Sequence, residues 1–299
     1  MTVLADARRG HRGLFAFAVA MAALAPVLAV LAVVDDRVLL GVPVWLKPLK
    51  FAVSFVAYSG TLAWMLGQLR ERALQRTGWT IVAASAVEMA IITGQAGLGH
   101  RSHFNVDGGL GTILLFDIMG ATIVVLWFAT LTVALRFLRE PGRDRAAGTA
   151  VRLGLVVALI GLLEGFVMIA INGHAVGVAD GGPGLPLVGW STTGGDLRIA
   201  HFVGMHALQG LPLLAAALAT TGRWDEHTRV RLVRVAAVAW TGLVALLTWQ
   251  ALRAQPLLAP DAATLGALAL GTVTAVAAML IHTRRAPATT RAYVRAHFP

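Results

Sequence analysis

The stretch VRLGLVVALIGLLEGFVMIAIN, residues 151–172, decides how this chain must be read. Past Arg152 it is apolar up to Asn172, with one exception, Glu164. A bilayer core about 30 Å thick is crossed by roughly 20 such residues in a helix. Lipid cannot satisfy free backbone groups, so a helix is the expected form. The stretch therefore predicts a transmembrane helix with one carboxyl at depth.

Seven more runs have the same character: 13–34, 49–69, 78–97, 111–138, 199–220, 230–252 and 262–282. The composition agrees, with 57% hydrophobic and only 13% charged residues, where a soluble domain carries roughly a quarter charged. The short alternating strands of a membrane barrel are not seen. The expected fold is all-α: one integral membrane domain over 1–299, a polytopic transmembrane bundle of about eight helices.

A net charge of +10 could point to nucleic acid, but its distribution points elsewhere. Nineteen of the 25 cations fall in five segments, around Arg8–Arg12, Arg70–Arg76, Arg136–Arg152, Arg223–Arg234 and Arg284–Arg295. The alternate segments hold the other six: Arg37, Lys47, Lys50, Arg101, Arg198 and Arg253. Rich and poor loops alternate strictly, which is the positive-inside pattern. It predicts eight crossings with both termini in the cytoplasm, in the cytoplasmic (inner) membrane of a bacterium. The expected partner is the lipid bilayer, anionic lipid included, and not nucleic acid.

The first run follows the basic stretch RRGHRG but is longer than a signal peptide's apolar region of roughly 7–15 residues. It is expected to be a retained signal-anchor helix. Residues 283–299 read as a basic cytoplasmic tail. The chain has no cysteine, which excludes disulfides and thiolate-held metal or iron–sulfur sites.

The predicted outer loops differ from the plain basic connectors inside. WLKPLKF (45–51) opens the second helix, with Pro48 in the first turn and Trp45 at interface level. Lys47 and Lys50 there either snorkel to lipid phosphate or attract an anionic ligand. HRSHFN (100–105) brings His100, Arg101 and His103 to one outer end. The segment 173–198 is the longest loop, and its Gly, Pro, Trp and Ser/Thr content predicts an ordered extracytoplasmic cap. Asp196 is expected to cap the sixth span.

Three carboxyls lie inside predicted spans: Glu88, Asp117 and Glu164. Each costs at least about 2.5–3.5 kcal/mol at membrane depth, so each calls for a partner or a cavity. At 1.5 Å per residue, Glu88 and Glu164 lie about 13 and 12 Å from their outer ends, His206 about 12 Å and Asp117 about 9 Å. If the third to sixth spans are neighbours, these groups share one layer. On a regular helix His201 and His206 stand about 140° apart and would not face one another, whereas His206 and Gln209 share a face. EMAIITGQAGLGH (88–100) and EGFVMIAINGH (164–174) echo each other, each running from a glutamate to a Gly-His.

Five histidines, His100, His103, His174, His201 and His206, gather towards one predicted membrane face. Imidazole suits transition metals and haem iron. The first functional expectation is an outward-facing pocket binding a metal ion or haem b through these histidines. Glu88, Asp117 and Glu164 would then act as catalytic acids, proton carriers or further ligands in redox or hydrolytic chemistry. The alternative is a proton-coupled transporter or receptor for a small solute, with Lys47, Arg101, Arg198 and Gln209 meeting it. The bland reading pairs the loop histidines and arginines with Asp107, Asp180 and Asp196.

WLKPLKF, RSHFN, DGGPGLPLVGWSTTGGDLR and HFVGMHALQ together resemble an uncharacterised group of bacterial eight-helix membrane proteins. The resemblance spans most of the chain and implies no activity. Haem A synthase is similar in architecture alone, because GHRSH lacks the glutamate of its glutamate–histidine–arginine signature.

Overall fold

The computed structural model describes residues 3–69, 71–105, 108–139 and 144–284. Arg70, Asp107, Arg143 and the tail 285–299 lie outside the described residues. The architecture is all-helical. The helices are α1 (Val3–Gly10), α2 (Arg12–Val34), α3 (Leu46–Leu69), α4 (Arg72–Gly97) and α5 (Leu110–Arg139). They continue with α6 (Arg145–Ala170), α7 (Leu197–Met205), α8 (Ala207–Thr220), α9 (Glu226–Leu252) and α10 (Ala262–Arg284). Seven of them, α2 to α6, α9 and α10, are long and apolar enough to cross a membrane. The pair α7–α8, bent by 42°, makes an eighth if it is one crossing.

The helices overrun the apolar stretches at their basic ends because local caps extend them. Asp144 accepts the Ala146 and Ala147 amides at 2.8 and 3.0 Å, so α6 starts six residues before its apolar run. Asp225 accepts from Thr228 at 2.9 Å and does the same for α9. Two of the opposite ends close differently. α4 ends in a Schellman turn, with Gly99 at φ +74 and the His100 amide donating to the Gln95 carbonyl at 2.8 Å. α6 ends alike, with Asn172 at φ +52 and the Gly173 amide donating to Met168 at 3.1 Å.

The chain forms two compact units, and α5 and α6 contribute to both. The first comprises Met1–Val133 and Met168–Thr193. Its core packs Met21 and Leu28 of α2, Ala52 and Phe55 of α3, and Met89 of α4. Val38–Leu39 and Val42–Pro43 form a tight hairpin between α2 and α3, turning through Leu40 and Gly41, both at positive φ. The 173–193 part of the long loop folds on itself, with Leu185 donating to the Trp190 carbonyl at 2.8 Å and Thr192 to Pro183 at 3.0 Å.

α1 folds back along α3. A Cβ on Gly10 would stand 2.0 Å from the Ala63 carbonyl oxygen, so only glycine permits this approach. His11 then caps α2: its Nδ1 accepts the Leu14 amide at 3.0 Å, which leaves Nε2 to donate to the Gln75 carbonyl at 2.9 Å. The Gln75 amide donates back to the Gly10 carbonyl at 2.9 Å.

The second unit comprises Ala134–Val167 and Gly194–Pro299. Its core packs Ala150, Leu211, Ala215, Val233 and Ala237. The starts of α6 and α9 are tied by Arg229 to Asp144 at 2.9 Å and by the Arg145 amide to Glu226 at 2.8 Å. The bend between α7 and α8 falls at His206. There the Val203 carbonyl accepts the Trp240 indole N–H from α9 at 2.9 Å, and the Trp240 ring seats against Gly210. Outward surfaces are apolar, as in Val27, Val30 and Val33 of α2 and most of α10, where Thr264 is the buried residue. Such surfaces belong in a lipid bilayer.

Candidate functional site

In the first unit, Glu88 is fully buried on α4, nine residues or about 13 Å before its end. The Thr122 hydroxyl, from α5, is hydrogen-bonded to Glu88 Oε1 and also lies 2.8 Å from the Met119 carbonyl of its own helix. In the second unit, Glu164 is buried on α6, six residues or about 9 Å before its end. It is shallower than the apolar run predicts, because α6 stops at Ala170. The Thr248 hydroxyl, from α9, lies 2.6 Å from Glu164 Oε1 and 2.9 Å from the Val244 carbonyl. The second oxygen of each carboxyl is buried without a hydrogen-bond partner among the described residues.

A hydroxyl carries one proton and can donate once. Each threonine here faces two acceptors. If its proton goes to the backbone carbonyl, its oxygen can accept only from a protonated carboxyl. If the carboxyl is ionised, the hydroxyl turns and donates to it. Both charge states are thus met with no movement beyond a hydroxyl rotation. The pair Tyr58–Thr130 shows the same geometry with an obligatory acid partner. Thr130 reaches the Leu126 carbonyl at 2.7 Å, and the Tyr58 hydroxyl closes on its oxygen at 2.5 Å.

Asp117, the third carboxyl, is exposed on α5, two residues before the buried Met119. Lys47 is half-buried at the start of α3. Lys50 donates to the Val188 carbonyl of the long loop at 2.9 Å, so it ties down that loop.

Two of the histidines share a neighbour: Phe104 packs edge-on against both His103 and His174, with centroids 6.0 and 6.5 Å away. His100 is exposed just past the α4 cap. His103 lies 3.1 Å from the Ser102 hydroxyl and sits among Phe51, Phe104 and Phe116, with centroids 5.7 to 6.3 Å away. His174 stands 3.2 Å from Asp180, which also accepts the Ala175 amide at 2.8 Å. In the second unit, His201 Nδ1 is 2.8 Å from the Gly161 carbonyl of α6. His206 is 3.2 Å from Gln209 and packs edge-on against Phe202 at 4.3 Å. Among the described residues, no three of His, Asp and Glu are grouped so as to hold a metal ion.

Asp196 caps α7, accepting the Arg198 amide at 3.1 Å, and pairs with the Arg198 guanidinium at 2.6 Å. Arg101 is half-buried, and its Nε is shielded with no hydrogen-bond partner among the described residues. Sequence reading missed Thr122, Thr248, His11 and Gln75. The first two carried a signal, being hydroxyls inside apolar runs.

No family model matches the chain, and neither a curated protein nor a solved structure matches it.

Proposed function

We propose that the chain is an eight-crossing protein of a bacterial cytoplasmic membrane, with both ends inside, that couples a small anionic solute to protons carried by Glu88 and Glu164. The supporting observation is the threonine geometry. Each carboxyl faces a hydroxyl that can serve it as donor or acceptor, and a fixed structural acid needs only one of these. That a glutamate and a hydroxyl recur in this relation in both units further favours a carrier function over packing. Lys47, half-buried at the start of α3, would meet the solute's negative charge. Arg101, Arg198 and Gln209 are the remaining candidates for solute contact, and Asp117 is a third acid on the exposed side of α5.

The test is purified protein in liposomes with an internal pH dye, challenged with small carboxylates and with inorganic phosphate. Solute-driven proton movement, lost in both Glu88→Gln and Glu164→Gln, is the expected result. Movement unaffected by both variants overturns the assignment. The other reading of these residues, a metal ion or haem b held by His100, His103, His174, His201 or His206, separates by absorbance near the Soret region and elemental analysis.

A further inference from the structure

The elbow between α1 and α2 leaves an open cleft of about 630 Å³ lined by Leu4, Ala5, Arg8, Arg9, Arg12 and Phe15. On α1 positions 4 and 8 share a face, and on α2 positions 12, 15 and 19 form one stripe. Arg9 is engaged locally, donating to the Ala5 carbonyl at 3.2 Å and pairing with Asp6 at 3.2 Å. Asp6 is thereby answered. Arg8 and Arg12 are exposed and make no ion pair among the described residues.

The cleft is rigidly mounted. Gly10 sits on the α3 backbone, and His11 and Gln75 lock the elbow to α4. Its level is marked by Trp79, which is 57% exposed and packs edge-on to His11 at 5.5 Å. Exposed tryptophan beside the end of an apolar helix belongs at the headgroup level. Directly along the stripe from Arg12, α2 presents Phe15 and then Val19, which is 52% exposed.

We propose that this cleft binds an anionic phospholipid. The phosphate lies between the Arg8 and Arg12 guanidiniums, which can each present paired N–H donors to it. One acyl chain runs down Phe15 and Val19. The apolar stripe continuous with the cations is what selects a lipid over a free phosphate ion, which has no use for it.

The experiment uses the full chain, purified in detergent and exposed to mixed micelles of phosphatidylglycerol and phosphatidylcholine, with retained lipid counted by native mass spectrometry. The expected result is retention of phosphatidylglycerol over phosphatidylcholine, weakened about 30-fold in Arg8→Gln/Arg12→Gln at roughly 1 kcal/mol per arginine. A charge-matched control, Arg231→Gln/Arg234→Gln, keeps the wild-type retention. Monodispersity in gel filtration certifies that each variant is folded. Equal loss in the control reduces the effect to bulk charge and overturns the site. Displacement of the lipid by millimolar inorganic phosphate overturns the lipid assignment, and so does unchanged retention in the double variant.

Discussion

Gly161 of α6 and Gly204 of α7 meet backbone to backbone: a Cβ built on Gly161 would stand 2.5 Å from the Gly204 carbonyl carbon, and one on Gly204 2.5 Å from Gly161 Cα. Small residues at such crossings let membrane helices approach closely where no hydrophobic force drives them together. Gly154 continues the contact, with a hypothetical Cβ 2.9 Å from the Ala207 carbonyl. Gly161→Ala and Gly204→Ala should each cost about 1–3 kcal/mol through overpacking. Gly266→Ala, with nothing within 4 Å, should be neutral or slightly stabilising. Thermal unfolding in one detergent compares all three, and equal melting of Gly161→Ala and Gly266→Ala would contradict the packing.

Thr248 offers a test of the hydroxyl without touching the acid. Thr248→Val removes the group facing Glu164 and should cost about 0.6–1.7 kcal/mol, the range for interhelical hydrogen bonds in lipid. Thr248→Ser keeps the hydroxyl and should melt near the wild type. If serine and valine behave alike, the hydroxyl carries no weight and the two-state donor argument fails with it.

His11 is 1% exposed and satisfies one donor and one acceptor on different helices. His11→Ala leaves the Leu14 amide and the Gln75 carbonyl unserved, for a loss of about 2–4 kcal/mol. His11→Asn can still cap α2 but is too short for Gln75, so it should fall between. Limited proteolysis near residue 10, faster in the order Ala, Asn, wild type, reads this out.

The aspartates at helix ends predict the acid limit. Arg37 and then the Trp45 indole hydrogen-bond Asp35 and hold its carboxyl well below the usual range. Arg253, then Thr264, do the same for Asp261. A depressed folded value means the contribution is complete above the unfolded aspartate pKa of about 3.9 and is lost as pH falls through the folded value. Melting temperature should therefore be insensitive to these groups from pH 8 to about 5 and decline below about 4. In Asp35→Asn the neutral-pH value drops and the acid decline is shallower. A variant with the wild-type profile would show that the Asp35 contacts do not count.

The fold was legible because lipid imposes a coarse demand, long apolar runs, that residues 151–172 meet on their face. The depth of Glu88 followed from counting along a helix, whereas that of Glu164 came out about 3 Å too deep because α6 stops at Ala170. Their partners did not follow from such counting, because whether Thr122 meets Glu88 depends on how α5 is rotated against α4, and spacing within one helix does not encode that. The bend at His206 was equally hidden. GDLRIAHFVGMHALQG has no proline at the break, and Pro212 lies six residues beyond it. The elbow of His11 was read only as part of a basic stretch, since its worth comes from a carbonyl 64 residues away.

The Trp240 indole stands in for a helix amide that the bend removes from Val203. An acceptor stranded in hydrocarbon is costly, so a displacement of α9 that breaks this bond leaves the Val203 carbonyl unserved unless α7–α8 straightens to recover it. The bend of α7–α8 and the axial position of α9 thus lean on one another through a single tryptophan.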